Sequence, residues 1–108
     1  MARMVVIYRT PKDADAFDRH YFQTHIPLAK RLPGLRKYEV SRGPVTVIAG
    51  QPDVYLVGTV YFDDMEALQK AFSSPEGRAV AADRRIYAPD ETGVQMLVFD
   101  DTEVSESH

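Results

Sequence analysis

Hydrophobic side chains along this chain gather in four short runs rich in β-branched and aromatic residues, a pattern that predicts four β-strands. The predicted strands are residues 4–9, 36–42, 54–62 and 94–99. Clusters of Gly, Pro and Asp lie between these runs and predict turns. Residues 45–49 fit two interpretations, a bulged continuation of the second strand or a loop.

The segment between the first two strands shows helical spacing. Phe17, Tyr21, Leu28 and Leu32 share one face of a helix. Asp13 or Asp15 is suited to cap its start, because an aspartate oxygen accepts the free amide hydrogens of the first turn. Pro27 has no N–H and restrains the residue before it. The pattern therefore predicts a helix ending near residue 24 and a short second segment from residue 27.

Two further helices are predicted between the third and fourth strands. Asp63 and Glu66 have the spacing of a capping box, which predicts a helix start at Asp63. Ser74 followed by Pro75 is typical of a second start, with Ser74 as the cap. This last helix is predicted to run to about residue 86.

The resulting order, βαββαβ, predicts a ferredoxin-like α+β fold in residues 1–100, a four-stranded antiparallel sheet with both helices on one face. Residues 101–108 are acidic and are predicted to be a disordered tail. A sheet with a wet second face should alternate apolar and polar residues. Residues 4–8, 96–99 and most of 54–62 are instead continuously apolar. A second copy of the sheet is the simplest cover, so we expect a homodimer forming an α+β barrel.

Composition excludes several functional classes. The net charge is −3 without a basic patch, which argues against nucleic acid and anionic membranes as partners. The absence of cysteine excludes thiol catalysis and Cys-ligated zinc. No run approaches the roughly 20 apolar residues of a membrane helix, and a cytoplasmic location is expected.

Two motifs carry a family resemblance. The first comprises Tyr21, His25-Ile26-Pro27-Leu28, Pro33-Gly34-Leu35 and Tyr38; the second comprises Ser74-Pro75-Glu76-Gly77 and Asp83. Together they resemble the EthD family, named after ethyl tert-butyl ether degradation, over residues 4–99. The resemblance implies the dimeric α+β barrel and a setting near oxidative degradation systems. It does not imply a particular reaction, because related barrels include isomerases, small monooxygenases, polyketide cyclases and haem-handling proteins.

His25 is the main catalytic candidate. Imidazole is suited to general acid–base work near neutral pH, and the family match extends to this residue. The alternative is that His25 bonds a backbone carbonyl freed by Pro27. His20 lies about 140° round a regular helix from His25, so the two cannot share a metal, and His20 is expected at the surface.

Tyrosines and one aspartate complete the candidate site. Tyr8 is assigned a catalytic role, and Tyr21, Tyr38 and Tyr55 a substrate-binding role. Tyr8, Tyr38, Tyr55 and Tyr61 lie in the predicted strands, and several of them on the barrel side of the sheet would form an aromatic pocket with polar tips. Plain strand packing is the alternative. Asp83 is expected to orient a histidine or tyrosine, or else to pair with a nearby arginine.

The sequence thus predicts a protein that binds a small cyclic or aromatic compound, with His25 as acid or base in an isomerisation, cyclisation, decarboxylation or metal-free oxidation. No cofactor and no metal are expected. The alternative is a non-catalytic binding or accessory module of an oxygenase system. Haem binding through His25 ranks last, because no second ligand is evident.

Overall fold

The computed structural model describes residues 1–104. Its four strands are β1 (Ala2–Tyr8), β2 (Lys37–Val40), β3 (Leu56–Phe62) and β4 (Val94–Asp100). They form one antiparallel sheet in the order β2-β3-β1-β4. In this register Val6 of β1 lies between Gly58 of β3 and Met96 of β4. The predicted ferredoxin-like α+β fold is confirmed.

The helical elements are α1 (Ala14–His20), a π-helical turn (Tyr21–His25), α2 (Ile26–Ala29), α3 (Met65–Ser73), α4 (Pro75–Tyr87) and a 3₁₀ turn (Glu91–Gly93). Asp13 caps α1 by accepting from the Ala16 amide at 3.0 Å. Ser74 caps α4, as predicted, by accepting from the Gly77 amide. No helix in the described range is long and apolar enough to cross a membrane.

The predicted helix break before Pro27 is wrong. Ile26 is helical, with φ −58° and ψ −48°, and its N–H donates to the carbonyl of Tyr21, five residues earlier. This wider turn gives the Pro27 ring room that a regular α-helical turn would not, so the chain passes from α1 to α2 without leaving helical geometry.

The predicted cap of α3 is wrong by one residue. Asp64 is the N-cap and accepts from the Ala67 amide at 2.8 Å. Asp63 instead accepts two hydrogen bonds from the Arg36 guanidinium, both at 2.8 Å. Two side chains compete for one capping position, and the arginine at the start of the neighbouring strand decides which aspartate fills it.

Two open questions at the chain's irregular parts are answered in part. Residues 45–49 form no strand, so they belong to the loop between β2 and β3. The predicted tail begins too early, because the Asp101 amide donates to the Met1 carbonyl and the Asp101 carboxylate accepts from Arg3 at 2.6 Å. The last four residues of that tail, 105–108, lie outside the described residues.

The core lies between the helices and one face of the sheet, and it has two parts. The aliphatic part is built around Ala2, Val60, Phe62, Leu68, Ala71 and Val80. The aromatic part is built around Tyr8, Phe17, Tyr21 and Leu56. The second part is unusual because half of its side chains carry a hydroxyl, which requires a partner when buried.

No described helix of this chain packs against the other face of the sheet. Val5, Ile7 and Val57 on this face are only half-buried. Leu97 and Phe99 of β4 remain 40% and 43% exposed. The apolar second face expected from the sequence is therefore present.

Gly77 provides a test of how tightly α3 packs on α4. A Cβ at this position would lie 2.4 Å from the Ala71 carbonyl oxygen and 2.5 Å from the Phe72 Cα. Gly77→Ala should therefore destabilise the fold by about 1–3 kcal/mol, although alanine favours a helix by about 1 kcal/mol. Urea unfolding measures the difference. Gly93→Ala is the control, since its nearest contact would be an ordinary 3.8 Å to Asp90. Equal stability of the two variants would contradict the packing argument.

Candidate active site

A cavity of about 210 Å³ lies between the helices and the core-facing side of the sheet. Val6, Gly58 and Val60 form its sheet wall. Its lining is buried at Tyr8, Tyr21 and His25, partly buried at Tyr38 and Arg84, and exposed at Ala81, Arg85 and Met96. Buried and exposed lining residues thus mark an inner end and a mouth, with the mouth between α4 and β4.

The predicted tyrosines divide between two environments. Tyr8 and Tyr38 line the cavity together with Tyr21 of the first helical segment, on the helix side of the sheet rather than on the barrel side predicted for the strand tyrosines. Tyr55 does not line it, because its hydroxyl donates to Asp18 of α1. The expected pocket face was wrong because the helices do not fill all the space above β1 and β3.

Two phenol pairs lie near the inner end, and three of the four phenols, Tyr8, Tyr21 and Tyr38, line the cavity. The hydroxyl oxygens of Tyr21 and Tyr38 lie 2.6 Å apart, as do those of Tyr8 and Tyr87. Burial raises the pKa of all four phenols, so they stay protonated at neutral pH. In each pair one phenol donates to the other, which leaves one hydroxyl proton for a further acceptor.

Gly58 makes space for the first of these pairs. A Cβ at this position would lie 2.7 Å from the Tyr21 hydroxyl oxygen. Sequence reasoning did not select Gly58 as a site residue. The available signal was its place inside an apolar strand, where a lone glycine often marks the close approach of another group.

Asp83 connects the two histidines of the first helical segment. His25 Nδ1 lies 2.9 Å from one carboxylate oxygen of Asp83, and His20 Nε2 lies 2.7 Å from the other. His20 was expected at the surface, but its side chain is only 28% exposed, because its ring is bonded to Asp83. A regular helix would separate residues five apart by about 140°, but the π-helical turn between them brings both rings to the same carboxylate.

The contact with Asp83 determines which nitrogen of His25 faces the cavity. An ionised carboxylate only accepts, so Nδ1 carries the proton and Nε2 is left as an acceptor. Within residues 1–104, Nε2 of His25 has no hydrogen-bond partner, whereas every fully buried side-chain nitrogen and oxygen has one. Nε2 is therefore not fully buried, and we take it to be reached through the cavity that His25 lines. The alternative bond to a backbone carbonyl is not formed.

Burial lowers the pKa of His25, and the hydrogen bond and charge of Asp83 act in the opposite direction. The lowering by burial prevails. His25 is consequently neutral at neutral pH, with a free basic nitrogen and a carboxylate behind it, the arrangement in which a histidine acts as a general base.

Tyr87 is a further site residue that the sequence did not reveal. Its ring centre lies 4.7 Å from that of His25 and 5.4 Å from that of His20. Its hydroxyl forms a hydrogen bond with the Tyr8 hydroxyl. Tyr87 follows Asp83 by four residues on α4, and that spacing on one helix face was the signal that could have identified it.

The geometry does not converge on a metal position. His20 and His25 engage opposite oxygens of Asp83. In the described range no group of three or more histidine, aspartate or glutamate side chains is arranged to hold a metal ion.

Comparison with known proteins is consistent with the motifs. The model of the EthD domain family matches residues 9–91. An uncharacterised 11.0 kDa protein encoded in the thcB–thcC intergenic region of Rhodococcus erythropolis is 33% identical, over 96% of this chain and 98% of that relative. The crystal structure of an EthD family protein from Bacillus halodurans is 35% identical with a TM-score of 0.84, covering 94% of this chain and 99% of that one.

More distant structures share the fold alone. A dimeric ferredoxin-like protein of unknown function from Thermobifida fusca has a TM-score of 0.64 at 16% identity, covering 91% of this chain and 88% of that one. SnoaB, a cofactor-independent oxygenase from Streptomyces nogalater, has a TM-score of 0.63 at 15% identity, covering 97% and 96%.

The opposing influences on His25 can be separated by substitution. Asp83→Asn keeps the shape but removes the charge that raises the pKa of His25, so that pKa should fall further. His20→Gln keeps a donor for Asp83 and removes the neighbouring imidazole whose Coulombic effect lowers the pKa of His25, so that pKa should rise. Histidine ¹⁵N NMR titration measures both changes. Shifts in the same direction, or no shift in either variant, would contradict the described arrangement.

Proposed function

The chain belongs to the EthD family, and we propose that it binds a small cyclic or aromatic compound on which His25 acts as general base and acid. The observation that carries this proposal is the accessible Nε2 of His25 at the inner end of the cavity, with Asp83 bonded to the opposite nitrogen.

Cavity size and lining support the proposed substrate class. An apolar cavity of about 150 Å³ accepts benzene, so about 210 Å³ suits a single ring with small substituents. Most of the lining is apolar, and the phenols that line the cavity, Tyr8, Tyr21 and Tyr38, supply hydrogen-bonding groups for an oxygen substituent. A mainly apolar wall with few polar groups is typical of small-molecule sites.

The proposed chemistry is proton transfer. Nε2 of His25 removes a proton from a carbon or hydroxyl group of the substrate, and Asp83 stabilises the resulting imidazolium. Charge that develops on the substrate oxygen receives hydrogen bonds from the phenols. Return of the proton to a different atom completes an isomerisation. Reaction of the same substrate anion with oxygen is a second candidate, favoured by the shared fold with a cofactor-independent oxygenase.

Turnover of a panel of lactones, quinols and enols tests the role of His25. His25→Ala, and His25→Gln, which keeps a donor for Asp83, should each lower turnover of an accepted substrate by at least about a hundredfold. Gln23→Ala is the matched control, because Gln23 lies exposed on the same π-helical turn.

Circular dichroism of each variant separates loss of chemistry from loss of folding. If the folded His25 variants still bind the substrate and turn it over at the wild-type rate, the catalytic proposal is wrong. The protein would then be a non-catalytic binding or accessory module. A cytoplasmic location and the absence of a nucleic-acid partner stay predictions from composition.

We further propose that the protein functions as a homodimer joined through the open sheet face. This face carries neighbouring apolar side chains from two strands, Val5 and Ile7 of β1 and Leu97 and Phe99 of β4. A contiguous apolar patch of this kind is typical of an interaction surface, whereas scattered exposed apolar residues are not. Two such faces would cover each other. The Thermobifida fusca protein, which shares the fold, is described as dimeric.

Light scattering at micromolar concentration tests the assembly. The wild type should have twice the mass of one chain, and Leu97→Lys should shift the equilibrium towards single chains, because a buried unpaired charge opposes association. Ile86→Lys is the control, since Ile86 is 70% exposed on α4, away from the sheet. A wild type with the mass of one chain would disprove the dimer.

A further inference from the structure

The mouth of the cavity has a positive charge that the proposed chemistry does not use. Arg84 and Arg85 of α4 lie there, across from Met96 of β4. Among the described residues, no aspartate or glutamate lines the cavity. The positive charge at the mouth is opposite in sign to the net charge of the chain, which is −3.

The two arginines are held differently. Arg84 Nη1 donates to the carbonyl of Ala88 at 3.1 Å, and its charge partly offsets the effect of burial on the pKa of Tyr8. The hydrogen bond ties its position to the end of α4. Arg85 is exposed and forms no hydrogen bond or ion pair with the residues that the structure describes. Its guanidinium is available to a ligand.

The order of environments along the cavity limits the kind of molecule that fits. The inner end offers neutral hydroxyl donors and an imidazole acceptor at residues that are at most 5% exposed, such as Tyr8, Tyr21 and His25. An anionic group placed there would lose most of its hydration. At the mouth the same group keeps contact with water and gains a guanidinium, whose planar donors match a carboxylate.

We propose that the substrate is a small cyclic or aromatic carboxylate, with its ring in the cavity and its carboxylate at the mouth beside Arg85. This inference rests on the proposed function, because it concerns the same cavity. Arg85 is a specificity-determining residue in this arrangement and takes no part in proton transfer. Arg84 adds to the positive potential at the mouth from its fixed position.

Benzoate and its neutral isostere benzamide are suitable probes, because they share one ring and differ mainly in charge at pH 7. Titration calorimetry should give a Kd for benzoate about five- to tenfold lower than for benzamide, the range expected of a partly exposed charge pair. Added salt should reduce this preference. Histidine NMR shifts of His25 on titration locate each probe in the cavity.

Two variants test the assignment to Arg85. Arg85→Gln should remove the preference for benzoate and leave benzamide binding unchanged. Arg19→Gln makes the same change in net charge on an exposed α1 position outside the cavity, and it should keep the preference.

The outcomes separate this inference from the function on which it rests. Equal binding of both probes with shifts at His25 would overturn the carboxylate proposal and leave the small-molecule site intact. A preference that survives Arg85→Gln, or that Arg19→Gln also removes, would overturn the role of Arg85. If neither probe binds, or if both bind without shifting the His25 signals, both proposals are contradicted.

Discussion

The buried carboxylate of Asp83 is the constraint on which the candidate site depends. A carboxylate with a side chain only 7% exposed is unfavourable without partners, and the two imidazoles of His20 and His25 supply one hydrogen bond to each of its oxygens. These bonds join α4 to the first helical segment. They also hold His25 with Nδ1 directed at α4 and Nε2 left for the cavity, so one interaction both stabilises the helix packing and orients the imidazole.

The π-helical turn makes this arrangement possible. Tyr21–His25 inserts a wider turn between α1 and α2, which brings two histidines five residues apart to one carboxylate. The same turn places Tyr21 against Tyr38 and admits Pro27 two residues later. Such turns occur often at functional sites, because they re-aim side chains at a small local loss of regular hydrogen bonding. Here one turn positions both the histidines that bond Asp83 and the Tyr21 hydroxyl that pairs with Tyr38.

The cavity exists because the core was left incomplete over β1 and β3. Gly58 contributes no side chain, and the neighbouring tyrosines direct their hydroxyls at one another rather than filling the space. Apolar side chains would pack this volume more favourably. The fold therefore contains, in place of a fully packed core, an apolar cavity that ends in paired hydroxyls and an imidazole. The exposed apolar face on the opposite side of the sheet is separate from it and is available for association.

The sequence by itself determined the order of elements, the sheet and the identity of several key residues. Runs of apolar residues, their lack of alternation and the Ser74-Pro75 pair depend only on neighbours a few residues apart, so they identified the strands, the apolar second face and the cap at Ser74. The motif around His25 and Asp83 identified two of the three members of the central cluster. Only the tertiary structure decided that His20 is the third, that Tyr87 and Gly58 belong to the site, and that the cavity lies under the helices. These facts depend on contacts between residues as far apart as His20 and Asp83 and on one non-standard helical turn, and local pattern records neither.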